Sequence, residues 1–169
     1  YSKSRIRGKP MKKIISLLLV LLLVTACGNS KDALKKEQMD LYQSFWTVIQ
    51  DQEAFQSSSS SFTIKANYAE GKYEVVIDQA RLAMTDVKVL VIENDALPSK
   101  DKVNMPSAGI FEDSVDMIPN QTQEGTQFAS EVRLSNSATA PVKLNILVQW
   151  RSLSTNEIVR EFFEFNLDA

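Results

Sequence analysis

From Leu34 to Gln52 apolar and semi-polar residues recur at steps of three and four: Leu34, Gln38, Leu41, Phe45, Val48 and Gln52, with Tyr42, Trp46 and Ile49 widening the stripe. That period fits an amphipathic helix with one packed face, and no glycine or proline breaks the stretch from Ser30 to Phe55. Ser30 is the expected N-cap, and Asp32 complements the helix N-terminus. After Ser57-Ser58-Ser59-Ser60-Ser61 the period becomes two. Residues 62–68 alternate, Glu70-Gly71-Lys72 turns, and residues 73–78 resume, which predicts a hairpin. From Val87 to Glu93 both faces are apolar, as expected of a strand covered on both sides.

The last third repeats the pattern. Residues 131–134 form a strand, residues 135–140 a turn, and Val142, Leu144, Ile146, Val148 and Trp150 occupy one face of a long strand with Lys143, Asn145, Gln149 and Arg151 opposite. A final strand runs from Ile158 to Leu167, with Val159, Phe163, Phe165 and Leu167 on one face. Two stretches, 94–109 and 119–125, carry prolines and charges without a period and read as long exposed loops. The expected fold is therefore mainly β: an immunoglobulin-like antiparallel β-sandwich preceded by one amphipathic N-terminal helix. The serine run is the expected linker, dividing a helical segment at 27–56 from a sandwich at 62–169.

Ahead of the helix, Lys12 and Lys13 precede an apolar run from Ile14 to Val24 that is short for a membrane-spanning helix and suits a cleaved leader. Residues 1–10 precede Met11 and read as an upstream extension. Val24-Thr25-Ala26-Cys27 resembles the lipobox of bacterial lipoproteins. That resemblance implies a signal peptide at 11–26, recognition of Val24, Thr25 and Ala26 by the signal peptidase, and a diacylglyceryl lipid on Cys27 as the new N-terminus. Two acyl chains anchor stably where one does not. The strand layout is also similar to small immunoglobulin-like domains of Gram-positive lipoproteins of unknown function, and the lipobox resemblance implies a lipid-anchored location on the extracytoplasmic face of the cell membrane.

Composition narrows the chemistry. The chain of 169 residues has no histidine and one cysteine. Histidine-dependent nucleophilic catalysis and histidine-ligated zinc are thereby excluded, as is a disulfide within the chain. Beyond residue 26 there are 13 basic and 21 acidic residues, a balance that disfavours nucleic acid as a partner. No glycine-rich phosphate loop occurs, and no cofactor is expected beyond the lipid on Cys27.

Two candidate sites remain. Glu112, Asp113 and Asp116 could bind a metal or small ligand, or serve as acid and base, although their spacing is not that of a calcium loop and acids in an acidic chain usually face water. Glu93, Asp95, Asp101 and Lys102 form no recognisable ligand set, and Ser99-Lys100 lacks the held geometry of a serine-lysine pair. Tyr42, Phe45 and Trp46 would be a partner surface if the helix stood apart as a stalk, and core if it packs on its own domain. The composition favours a non-enzymatic interaction or assembly module, whose expected partner is another envelope or surface protein, over a small-ligand or metal-binding lipoprotein and over a carboxylate-based hydrolase.

Overall fold

A computed structural model describes residues 11–99, 103–120 and 127–169, with side chains described from Lys31 onward. One helix, α1, runs over Met11–Gln50 and is followed by eight strands: β1 (Thr63–Ala69), β2 (Lys72–Asp78), β3 (Met84–Glu93), β4 (Ser107–Ala108), β5 (Val115–Met117), β6 (Glu131–Ser137), β7 (Val142–Ser152) and β8 (Ile158–Leu167). The chain divides into two compact units, Tyr1–Glu37 and Gln38–Ala169. The first contains the beginning of α1. Residues 1–10, the expected upstream extension, lie outside the described residues, as do the side chains of Val24, Thr25, Ala26 and Cys27. Among the described residues no helix is long and apolar enough to cross a membrane.

The second unit holds the sandwich. β1, β2 and β6 form one antiparallel sheet; β4, β3, β7 and β8 form the other in that order, with β5 also pairing β3. The two antiparallel sheets make a mainly β, two-layer sandwich, with β4 and β5 both held on β3 in the larger layer. The alternating residues supply the core between the sheets. Ile64, Tyr73, Val75 and Ile77 from the smaller sheet meet Val87, Val89, Val91, Leu144, Ile146, Val148, Trp150 and Phe163 from the larger. Phe62 packs edge-on against both Trp150 and Phe163, with ring centroids 5.6 and 5.7 Å apart.

A second apolar cluster lies on the outer face of the larger sheet. Tyr42, Phe45, Trp46 and Ile49 of α1 bury themselves against Leu90, Ile92 and Leu147 of the strands and against Ile110. This explains why β3 is apolar on both faces: one faces the smaller sheet, the other the helix. It also resolves the role of the aromatic stripe. Tyr42, Phe45 and Trp46 are 0, 1 and 0 % exposed, so they are core and do not present a partner surface.

Three expectations about boundaries change. Because α1 begins at Met11, Ser30 lies inside it and is not its N-cap; the Gly28-Asn29-Ser30 sequence is too weak a break between two helix-compatible segments. The helix also ends at Gln50, not near Phe55. Its last turn closes with Gln52 N donating to Ile49 O at 3.2 Å, and Gln56 then joins the edge of β8, its N–H donating to Phe162 O at 2.8 Å and its carbonyl accepting from Glu164 N at 3.1 Å.

The serine run is likewise no linker between separate bodies, since the compact unit starts at Gln38. Ser61 is buried, its carbonyl accepts from Arg81 N, and its hydroxyl donates to Glu161 Oε1 at 3.3 Å. The run is a crossing between two fixed points, Gln56 on the larger sheet and Phe62 in the core.

The described parts of the expected loop, 94–99 and 103–106, strap the helix, and Ser107–Ala108 is β4. Trp46 Nε1 donates to Ala96 O at 3.1 Å and Gln43 Nε2 to Ser99 O at 2.7 Å, while Met105 N donates to the Tyr42 hydroxyl at 3.0 Å. The strap then returns to the sheet, where Val91 N donates to Pro106 O at 3.0 Å. Part of the second expected loop, 121–126, lies outside the described residues.

Candidate functional site

Glu112, Asp113 and Asp116 each have a separate environment. Glu112 Oε1 accepts the Gly109 N–H at 2.9 Å, closing the turn after β4. That turn needs glycine: Gly109 has φ +69°, and a Cβ there would lie 2.5 Å from Val87 O. Asp113 is exposed. Asp116, on β5, accepts the Asp86 N–H at 3.0 Å and the Gln127 amide at 3.2 Å. Asp86 sits at the bulge of β3 with φ 52°, and its carboxylate takes the Ser114 hydroxyl at 2.6 Å together with the Lys88 ammonium. Burial works against the Asp86 carboxylate, but Lys88 and Ser114 outweigh it and hold its pKa below the usual range.

Glu112 caps a turn and Asp116 a bulge, and with the exposed Asp113 they form no ligand set. Among the described residues no group of three or more histidine, cysteine, aspartate or glutamate side chains is arranged to hold a metal. The Ser99 carbonyl is engaged by Gln43, and Lys100, Asp101 and Lys102 lie outside the described residues. Glu93 points between the sheets, where its carboxylate accepts the Tyr73 hydroxyl at 2.8 Å and the Asn136 amide at 2.7 Å.

The structure instead gathers polar groups at the C-terminal end of α1. A cleft of about 380 Å³ is lined by Ile49, Gln50, Gln52, Phe55, Ile92, Asp95, Lys143, Asn145 and Glu164. Its floor is one row across the larger sheet, since Ile92 on β3 pairs with Asn145 on β7, which pairs with Glu164 on β8. In an antiparallel sheet, directly paired residues project to the same face. The end of α1 and the chain leading to Gln56 form one wall.

Asp95 and Lys143 line the other. Asp95 belongs to the turn after β3, in which Ala96 N donates to Glu93 O at 2.8 Å and both Asn94 and Asp95 have positive φ. Asparagine and aspartate tolerate that conformation better than most side chains. The turn is fixed to β7 because Asn94 N donates to Lys143 O at 2.8 Å and Lys143 N to Asn94 Oδ1 at 3.0 Å. It thereby brings Asp95 Oδ2 to 2.7 Å from Lys143 Nζ and Asp95 Oδ1 to 2.9 Å from the donating Asn145 Nδ2.

Asn145 itself is 7 % exposed, and its Oδ1 is buried with no hydrogen-bond partner among the described residues. An amide oxygen removed from water without a donor is costly, at ~1–3 kcal/mol. The sequence pattern placed Asn145 and Gln149 on a polar face of β7. Both are in fact buried, and Gln149 Oε1 accepts from Arg160 Nε at 2.8 Å.

A second cleft, of about 360 Å³, lies beside the β2–β6 edge, with Asp78 and Glu131 opposite one another on its lining strands. Asp78 Oδ1 is buried without a partner among the described residues, but the residue as a whole is only half-buried. Compared with protein-family models, with curated proteins and with solved structures, the chain matches none.

Proposed function

We propose that this chain is the precursor of a lipid-anchored extracytoplasmic protein that acts as a non-enzymatic interaction or assembly module at the cell envelope. The observation that carries the reading is the leader: Lys12-Lys13, the apolar run to Val24, and Val24-Thr25-Ala26-Cys27. Cys27 is the single thiol in the chain and lies 11 residues before the compact unit that begins at Gln38. A lipid there would hold that unit at the membrane surface.

The interaction role is supported by what the side chains are occupied with. Of the acids that suggested catalysis or metal binding, Glu112 caps the Gly109 turn and Asp116 the Asp86 bulge. Large apolar side chains stand exposed at the end formed by the β2–β3 loop and the β7–β8 turn: Leu82, Leu153 and Ile158, with Leu153 N donating to Ala83 O. Exposed apolar side chains gathered at one end are the kind of surface that protein partners cover.

Intact-mass measurement of the membrane-extracted protein, beside a Cys27→Ala variant, tests the anchor. The expected product starts at a diacylglyceryl-bearing Cys27, and the variant is released from the membrane fraction. A wild-type chain that retains residues 11–26 without lipid overturns the anchor. Crosslinking in the native envelope tests the module: a discrete protein adduct that is lost in Leu153→Lys supports it, and an adduct-free protein overturns it.

A further inference from the structure

We propose that the cleft at the C-terminal end of α1 is a binding site for a small organic ammonium group carried on a short apolar stem. Asn145 lies on the floor of that cleft. Its Nδ2 is committed to Asp95 Oδ1 at 2.9 Å, which fixes the amide orientation and leaves Oδ1 as a buried acceptor with no donor among the described residues. The missing partner must therefore be a hydrogen-bond donor.

Charge selects which donor. Asp95 and Glu164 contribute two negative charges to the lining, and Lys143 contributes one positive charge that is engaged with Asp95 at 2.7 Å. The C-terminal end of the helix adds partial negative charge. An anion is disfavoured by this field. A divalent metal is poorly served as well, because Asp95 is already paired with an ammonium and Glu164 alone is left as a charged ligand.

An alkylammonium group fits both requirements. It brings three donors and one positive charge, which Asn145 Oδ1, the Glu164 carboxylate and a helix-terminal carbonyl can share. The apolar part of the lining, Ile49, Ile92 and the half-buried Phe55, suits methylene groups, and an aromatic ring attracts a cation placed over its face. A volume of about 380 Å³ is in the range of small-ligand sites and accommodates a diamine or a lysine side chain. The proposal goes beyond the anchoring role and does not depend on it, since every group named belongs to the unit from Gln38 onward.

Calorimetric titration of the full chain in detergent tests it, with 1,5-diaminopentane and Nα-acetyl-lysine amide as probes and 1-pentanol and propionate as controls. Saturable binding of an ammonium probe is expected, with no binding of either control. Binding of the diamine alone identifies a free amine as the ligand type, whereas binding of the lysine amide as well identifies a side chain; either outcome supports the site. Glu164→Gln removes one charge from a partly exposed position, and we expect it to weaken binding about tenfold or more while leaving the melting temperature of the unliganded protein unchanged.

Asn145→Leu, which removes the buried acceptor, should abolish saturable binding, and if that variant fails to fold, Glu164→Gln carries the test by itself. Absence of saturable ammonium binding, equal binding of 1-pentanol, or unaltered affinity in Glu164→Gln each overturns the proposal. A Cys27→Ala chain should bind the probe as the wild type does, which separates failure of this site from failure of the anchor.

Discussion

At the scale of single residues, the buried polar groups carry more information than the apolar ones. Tyr73 is fully buried between the sheets, and its hydroxyl donates to Glu93, which also accepts from Asn136. Burial of the phenol, reinforced by the neighbouring Glu93 carboxylate, pushes its ionisation far above the usual tyrosine range. A group whose pKa is raised by folding contributes stability that is fully present below its unfolded pKa and is lost as pH rises above it. For Tyr73 the loss begins near pH ~10, where an unfolded tyrosine starts to ionise. We expect Tyr73→Phe to cost ~1–2 kcal/mol at neutral pH by leaving Glu93 one donor short. Above pH ~10 the gap between wild type and variant should narrow by ~1.4 kcal/mol per unit, because only the wild-type unfolded chain gains by losing that proton. Urea unfolding at neutral pH and at two alkaline pH values measures this, and a constant gap would show that the phenol's burial is not what couples stability to pH.

At the scale of elements, α1 and its strap form a layer that covers the larger sheet. Trp46 links them, with its ring buried against the sheet and its Nε1 donating to Ala96 O. Replacing it with alanine should cost ~3–5 kcal/mol, the range for removing a large buried aromatic side chain, and should loosen the strap selectively. Hydrogen exchange is the direct measurement: faster exchange from Ala96 to Ser99, with β1 and β2 still protected, is the expected pattern. A stalk standing free of the sheet would give no loss of stability at all.

How much of these elements could be read from the sequence depended on what lies on the far side of each strand. Alternation identified β7 and β8 and the face of each that enters the core, because side chains in a strand project with period two. It could not distinguish water from a second packed layer on the other face, so Asn145 and Gln149 read as solvent-facing although α1 covers that side. The strap has no period because its contacts with α1 are made through backbone carbonyls at Ala96 and Ser99. The serine run invited a linker because composition speaks to intrinsic stiffness, whereas the pairing of Gln56 with β8 is a tertiary event. The cleft was hidden for the same reason: Ile49, Asp95, Asn145 and Glu164 come from four separated segments and carry no shared spacing.

At the scale of the whole molecule, the question is where the folding unit starts. A linker at the serine run would make residues 62–169 self-sufficient, whereas the packing of Tyr42, Phe45, Trp46 and Ile49 makes part of α1 integral to the sandwich. Burying a large apolar side chain stabilises by ~1.5–3 kcal/mol, so these four together supply roughly 6–12 kcal/mol. That is comparable to the whole net stability of an ordinary domain, ~5–15 kcal/mol. A chain starting at Ser57 should therefore expose Leu90, Ile92 and Leu147, lose cooperative unfolding and bind a hydrophobic dye, while one starting at Lys31 should melt in a single transition. Thermal melting of the two truncated chains in parallel decides the matter. If the shorter one melted as cooperatively and as high, the helix would be an appendage despite its burial, and the cleft at its end would have lost the wall on which the ammonium site depends.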